Sequence, residues 1–276
     1  MDKIPTLKTK LKRVATFLFP WIKIKNLDRK VNHLVEKTSE QAEVIADINA
    51  KLALIMSQLN ALFIHTNSTA EKLDVIQGKN FLMPQRYFAQ FGEDKWILDN
   101  LKLPEHGVFV DVGTADGVQY SNSYIFEQKG WTGLCLEPDS RNFAMAQKYR
   151  KNVVQMAAAS TKGELDFSMS AVSPDWSGLK ITGPVSSTYK VKADRLSSIL
   201  KSNKIDHIDL LSIDTEGSEL EVWESMNFPE FQPKIVIIEY LAQNTITHDI
   251  KSYFAKLPYT LVHTTEANYI YTLNEN

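Results

Sequence analysis

From about Leu27 to Ile76 the apolar positions step by four and three, as at Leu27, Val31 and Leu34 and again at Ile45, Ile48, Leu52, Ile55, Leu59 and Leu62. Neither glycine nor proline interrupts the stretch. A 3.5-residue repeat held this long is the seam of a coiled coil rather than the face of a surface helix. The pattern predicts a coiled-coil helix over 27–80, and about 50 residues at 1.5 Å each make a rod of roughly 75 Å. The seam turns polar at Thr38 and Gln41 and again at Thr66 and Thr69, which weakens it and fixes its register. Ile45 and Ile48 put isoleucine at both seam positions, which leans toward three or more strands. The expectation is a homo-oligomer, trimer or dimer, since an isolated rod must bury its stripe. The competing arrangement folds the same helix against the rest of the chain.

Past Gly78 and Pro84 the pattern changes. Apolar runs at 108–112, 133–137, 153–157, 165–169, 189–193, 209–214, 235–240, 259–263 and 268–272 read as strands. Helical spacing fills 92–102, 121–129, 140–150, 194–202, 217–226 and 247–256. Such alternation predicts a mostly parallel sheet covered on both faces. The last two strands flank a short turn and read as a hairpin, which a seven-stranded sheet with an antiparallel edge accommodates. The domain predicted here spans 85–276.

Charge separates a third segment. Residues 1–30 carry nine Lys and Arg against Asp2 and Asp28, although the 276-residue chain has a net charge of −2. A basic arm over 1–26 therefore precedes an acidic body. Its apolar run, Val14–Ile22, is far shorter than a membrane span and is broken by Pro20. Lys23 and Lys25 stand where a secretory signal would have its small-residue cleavage site. Aromatics flanked by lysines suit a helix lying on an anionic bilayer, and equally a solvated start to the next helix. The overall charge gives no case for nucleic acid. A single cysteine, Cys135, excludes an internal disulfide and points to a reducing, cytoplasmic compartment, with peripheral contact at the inner face of the cell membrane as the arm's contribution.

The chemistry begins at Val108–Gly117, VFVDVGTADG, a buried strand running into a glycine-containing turn with an acid at its end. About 20 residues on, a second strand ends in Glu137, the offset at which a nucleotide-binding βαβ unit holds a ribose. A dinucleotide loop needs a third small residue where Val118 stands. The spacing is instead Gly113-x-Ala115-x-Gly117, which suits S-adenosylmethionine (SAM) better than NAD. On this reading Asp111 holds the amino acid part of SAM, Gly113 and Gly117 let the backbone approach the ligand, and Glu137 accepts the ribose hydroxyls.

A second constellation, Ile208-Asp-Leu-Leu-Ser-Ile-Asp214-Thr-Glu216-Gly217-Ser-Glu219, runs an apolar strand into paired acids. Residues two apart in an extended segment face the same way, so Asp214 and Glu216 point together into the cleft. Converging acids must be neutralised by a proton, a cation or a substrate. They are candidates for general base and substrate anchor; a divalent ion on the pair lacks a visible third carboxylate, and no metal is assigned. Glu219 reads as a complement to its helix dipole. His248 is the rival base.

These blocks, with Ser121-Asn122-Ser123 and Gly130–Pro138, resemble the FkbM-type SAM-dependent methyltransferases over about 87–240. Upstream, Tyr87-Phe-Ala-Gln-Phe-Gly-Glu-Asp94 is similar to that family's Gln-x-Gly-x-Asp motif. The resemblance implies a class I, Rossmann-like methyltransferase fold with SAM as cofactor. It implies Gln90, Asp94, Asp111, Gly113 and Glu137 at the cofactor, Ala157 and Ala158 along its adenine, and Asp214 and Glu216 facing the acceptor. It also implies methyl transfer to a hydroxyl, commonly on a sugar of a polysaccharide, glycolipid or polyketide. Two departures stand out: Asp116 replaces the usual Asn, and Lys192-Ala-Asp194-Arg195 replaces Thr-Leu-Asp-Asp. Arg195 then either senses an anionic acceptor or makes a structural salt bridge. The Ser173–Ser187 stretch reads as a lid or as a long surface connection. The expected function is O-methylation of a glycan or glycolipid. The alternatives are a small-molecule O-methyltransferase of natural-product assembly and a coiled-coil scaffold with an inactive methyltransferase-like domain.

Overall fold

A computed structural model describes residues 87–274 except 173–175, 182, 229, 243–244 and 247–248, together with six isolated helical positions, Ile48, Lys51, Leu62, His65, Thr66 and Thr69. The chain divides into two units, 1–59 and 60–276. The basic arm and nearly all of the heptad stretch lie outside the described residues. In the first unit Ile48 is helical and exposed. In the second, Thr66 Oγ1 donates to the Leu62 carbonyl and Thr69 Oγ1 to that of His65, each at 2.8 Å. The threonines of the polar seam break thus bond back to the preceding helical turn. Among the described residues no helix is long and apolar enough to cross a membrane.

The second unit is built on β1 (Val108–Val112), β2 (Thr132–Leu136), β3 (Val153–Val154), β7 (Leu210–Ile213), β8 (Ile235–Glu239), β11 (Tyr259–Thr264) and β12 (Asn268–Leu273). They form one seven-stranded sheet in the order β11-β12-β8-β7-β1-β2-β3. The five strands from β8 to β3 run parallel, and β12 is antiparallel to both its neighbours. The reversed strand therefore sits one place in from the edge, with β11 outside it. Helices α1 (Glu93–Asn100), α2 (Tyr124–Gln128), α3 (Ser140–Ala146), α4 (Leu196–Ser202), α5 (Glu219–Ser225) and α6 (Ile250–Phe254) connect or flank the strands.

Alternation along the central strands separates two cores. Val110, Val112, Leu211, Ile213, Val236 and Ile238 join one cluster, while Phe109, Leu210, Ile235 and Ile237 join the other. Successive side chains point to opposite faces, and both faces are covered, so these strands read as unbroken apolar runs.

The segment expected as one strand over 153–157 is two. The Met156 amide donates to the Val154 carbonyl at 3.0 Å, a three-residue turn that ends pairing with β2. The chain re-emerges as β4 (Ala157–Ala158), which joins β5 (Gly163–Ser170) and β6 (Val185–Asp194) in a separate sheet of order β4-β6-β5. A further short hairpin, β9 (Leu241–Ala242) and β10 (Thr245–Ile246), follows β8.

Candidate functional site

After β1 the chain moves to β2 and β3 on one side and then crosses to β7 on the other. This topological switch point is where open parallel sheets take ligands. A cavity of about 480 Å³ opens there, at the carboxyl ends of β1, β2 and β7, a size that suits a small-molecule cofactor. Its lining includes Gln90, Asp111, Gly113, Ala115, Glu137, Ala157, Ala158, Asp214 and Glu216. Nine of the twelve residues singled out from the sequence thus meet at one cavity.

The loop after β1 owes its shape to protein contacts. Gly113 adopts φ +87°, and a Cβ there would lie 1.7 Å from the Asp214 carbonyl oxygen. Gly117, also at φ +87°, is absent from the lining, and its Cβ would meet Arg150 at 2.8 Å and Ala146 at 3.1 Å. Gly113 lines the cavity and also makes room for the β7 loop, whereas Gly117, off the lining, makes room for Arg150, so its expected place at the ligand is corrected. Ala115 takes φ +48°, an uncommon setting for a residue with a Cβ. Its amide donates to Glu137 Oε2 at 2.8 Å.

Asp111 lines the cavity but is already engaged. Its Oδ2 accepts from Thr114 Oγ1 at 3.0 Å and Ser123 Oγ at 2.5 Å, and Arg150 stands 3.6 Å away. Arg150 is fully buried, pairs with Glu127 at 2.5 Å, and donates to the Gly117 carbonyl, Ser121 Oγ and Ser123 Oγ. This arginine, which sequence reasoning missed, pins the Gly117–Ser123 segment to the end of β1.

Glu137 is 4% exposed. Oε2 takes the Ala115 amide and Oε1 the Asp139 amide at 2.8 Å, so each oxygen keeps lone-pair capacity for a further donor. Burial pushes the carboxyl up to about 8. Beyond it, Leu136, Met156, Ala157, Ala158 and Phe167 make an apolar wall. Gln90 reaches the cavity, but Asp94 does not. Asp94 is fully buried and accepts from the amides of Phe88 at 2.6 Å, Ala89 at 3.3 Å and Lys95 at 2.7 Å. Its expected place at the cofactor is corrected to that of a brace that sets the backbone leading to Gln90.

At the far end stand the paired acids. Asp214 and Glu216 both line the cavity, and Glu239 at the end of β8 joins them: one carboxylate oxygen from each lies within 4.8 Å of the others. Register explains the approach, since Ile213 pairs with Ile238. Burial pushes the carboxyls of Asp214 and Glu239 upward, Glu239 the further, with the charges of the surrounding acids adding to the effect. The two carboxyls share a hydrogen bond, so one proton lies between them. Glu219 does more than complement a helix end. It is fully buried, and its Oε1 accepts from the Thr215 amide and hydroxyl at 3.1 Å and from the Gly217 amide at 2.8 Å. It holds the turn that carries Glu216, itself at φ +57°. His248 lies outside the described residues.

Residues 111–271, more than half the chain, match the methyltransferase FkbM domain. The chain belongs to the FkbM methyltransferase family. Among curated proteins none matches it. Among solved structures it is similar to a putative O-methyltransferase from Klebsiella pneumoniae (11% identity, 78% of this chain and 90% of that one, TM-score 0.40). A TehB-like SAM-dependent methyltransferase from Corynebacterium glutamicum gives 11% identity, 77% and 98% coverage and a TM-score of 0.37. A fibrillarin/Nop5p complex gives 12%, 68% and 81%, and 0.40. At these scores the likenesses support no functional statement.

The cofactor of an FkbM methyltransferase is SAM, and the cavity fits it. A buried carboxylate with unused lone pairs at Glu137 suits ribose hydroxyls, and the adjoining apolar wall suits adenine. The two departures from the FkbM pattern turn out mild. Asp116 Oδ1 accepts from the amides of Val118 at 2.9 Å and Gln119 at 2.8 Å, which an asparagine oxygen does equally well. Arg195 is away from the cavity and donates to the Ser160 carbonyl at 3.2 Å. Of the Ser173–Ser187 stretch, Trp176 to Leu179 line the cavity. Gly178 exchanges backbone hydrogen bonds with Ser168, and Lys180 pairs with Glu221 on α5.

Proposed function

We propose that this methyltransferase acts on oxygen, modifying a sugar hydroxyl of a polysaccharide or glycolipid. One observation carries the reading: a single cavity has the Glu137 carboxylate at one end and Asp214 with Glu216 at the other, joined through the Gly113 loop. When bound, SAM supplies an electrophilic methyl group on a sulfonium sulfur. The residues then have two tasks, to align an acceptor oxygen and to take its proton. A sugar hydroxyl is a poor nucleophile while protonated, and Asp214, which lines the cavity, is the base. Glu216 on the same wall takes a hydrogen bond from a neighbouring hydroxyl. Acids that receive hydroxyl protons suit an alcohol acceptor better than an apolar or anionic one.

The sequence supports a placement as well. The lysine-rich arm and the heptad stretch suit a homo-oligomer held peripherally at the cytoplasmic face of a membrane, where a glycolipid acceptor would be met. Full activity on a free sugar after removal of residues 1–80 would favour the small-molecule alternative. The central test is mass spectrometry of a glycan extract incubated with labelled SAM. The expected result is a methyl ether on a sugar, lowered at least about 100-fold by Asp214→Asn with SAM affinity retained in calorimetry. Unchanged methylation by that variant removes the base assignment, and absence of SAM binding removes the reading as a whole.

A further inference from the structure

Among the described residues, three carboxylates converge at the acceptor end of the cavity. Asp214, Glu216 and Glu239 each bring an oxygen within 4.8 Å of the others. Oxygens on one Mg²⁺ at about 2.0–2.1 Å are at most about 4.2 Å apart, so a small rotation of these side chains brings the three oxygens onto one ion. Two further groups are left over. Glu239 is 6% exposed and its Oε2 has no hydrogen-bond partner. Ser218 Oγ, 2% exposed and lining the same cavity, also has none. Buried polar atoms without partners are uncommon, and two at one cavity beside clustered acids are consistent with a bound ion and its waters.

We infer that Asp214, Glu216 and Glu239 form a binding site for one hard divalent cation, of the Mg²⁺ or Mn²⁺ kind, at the acceptor end of the cavity. Among the described residues the donors are all oxygen, which suits a hard cation. Three carboxylates leave positions open for water and for acceptor oxygens, as Mg²⁺ prefers. A cation there balances the three carboxylates and presents the acceptor hydroxyl with a Lewis acid. The inference deepens the proposed function and rests on it for the acceptor, but not for the binding of the ion.

Titration of the full-length chain, stripped with EDTA, with Mn²⁺ alone tests it by electron paramagnetic resonance of free and bound Mn²⁺. The expected result is one saturable site per chain, competed by Mg²⁺ and weakened at least tenfold by Glu239→Gln and separately by the more exposed Glu216→Gln. Glu137→Gln, at the cofactor end, should bind Mn²⁺ as the parent chain does. No saturable binding up to millimolar Mn²⁺, or binding undiminished in Glu216→Gln, overturns the inference; the second outcome identifies an adventitious ion. SAM calorimetry on the same stripped protein reports on the cofactor site separately, so loss of one reading does not imply loss of the other.

Discussion

Gly113 and Asp214 meet backbone to backbone, and a Cβ on Gly113 would fall 1.7 Å from the Asp214 carbonyl oxygen. The cofactor loop and the acceptor loop are thus one packed unit, so strain in the first must move the second. Gly113→Ala adds an unfavourable φ of +87° to this overlap. Strain of about 1–3 kcal/mol together with overpacking of a further ~1–3 kcal/mol should cost roughly 3 kcal/mol or more. Denaturant unfolding should show the loss, and methyl transfer should fall even at saturating SAM, because Asp214 is displaced. A variant as stable and active as the parent would mean the loops are not coupled.

Glu137 makes cofactor affinity depend on pH. Burial raises its carboxyl from 4.5 to about 8, so the free protein holds this proton at neutral pH while the unfolded chain does not. The native state then binds more protons than the unfolded one between these values, and this group's contribution to stability falls as pH rises from 4.5 to 8. Ribose hydroxyls favour the ionised acceptor, so SAM affinity should rise with pH up to about 8 and then level, by at most about tenfold per unit. Calorimetry from pH 6 to 9 checks this. Glu137→Gln should bind SAM more weakly and lose the pH slope.

How much of this was legible in the sequence depends on how local each cause was. The central strands were, because burial on both faces leaves continuous apolar runs such as Leu210–Ile213. The 22-residue offset between Ala115 and Glu137 was legible as well, because a strand-end acid follows from local pattern. Glu239 was not. It ends β8 as Asp111 nearly ends β1, but only the order of strands sets it beside Asp214. Treating every acid at the end of an apolar strand as a candidate would have found it. Arg150 follows a helical pattern and gives no sign that it is buried against Glu127. Glu219 fits a helix start so well that its grip on the preceding turn was hidden.

Arg150 should behave as a buried ion-pair partner whose removal strands charge. With it gone, Glu127 and Asp111 remain in the interior without a cation. Arg150→Met should cost about 3–5 kcal/mol in denaturant unfolding. Adding Glu127→Gln should recover part of that loss, because the uncompensated charge is then smaller. A double variant worse than the sum of the singles would contradict this account.

Glu219 separates geometry from charge. Its Oε1 accepts three hydrogen bonds from the Thr215–Gly217 turn, while its negative charge opposes ionisation of both Asp214 and Glu239. Glu219→Ala leaves three donors without their acceptor and should cost about 1–3 kcal/mol, with Glu216 losing its place on the cavity wall. Glu219→Gln keeps a carbonyl oxygen for the same donors and removes the charge. That variant should unfold at nearly the parent's denaturant midpoint, and its midpoint should decline less on raising the pH, because Asp214 ionises more easily beside a neutral neighbour. If Gln were as damaging as Ala, the charge itself would be holding the turn, and the three hydrogen bonds would not be the reason this acid is buried.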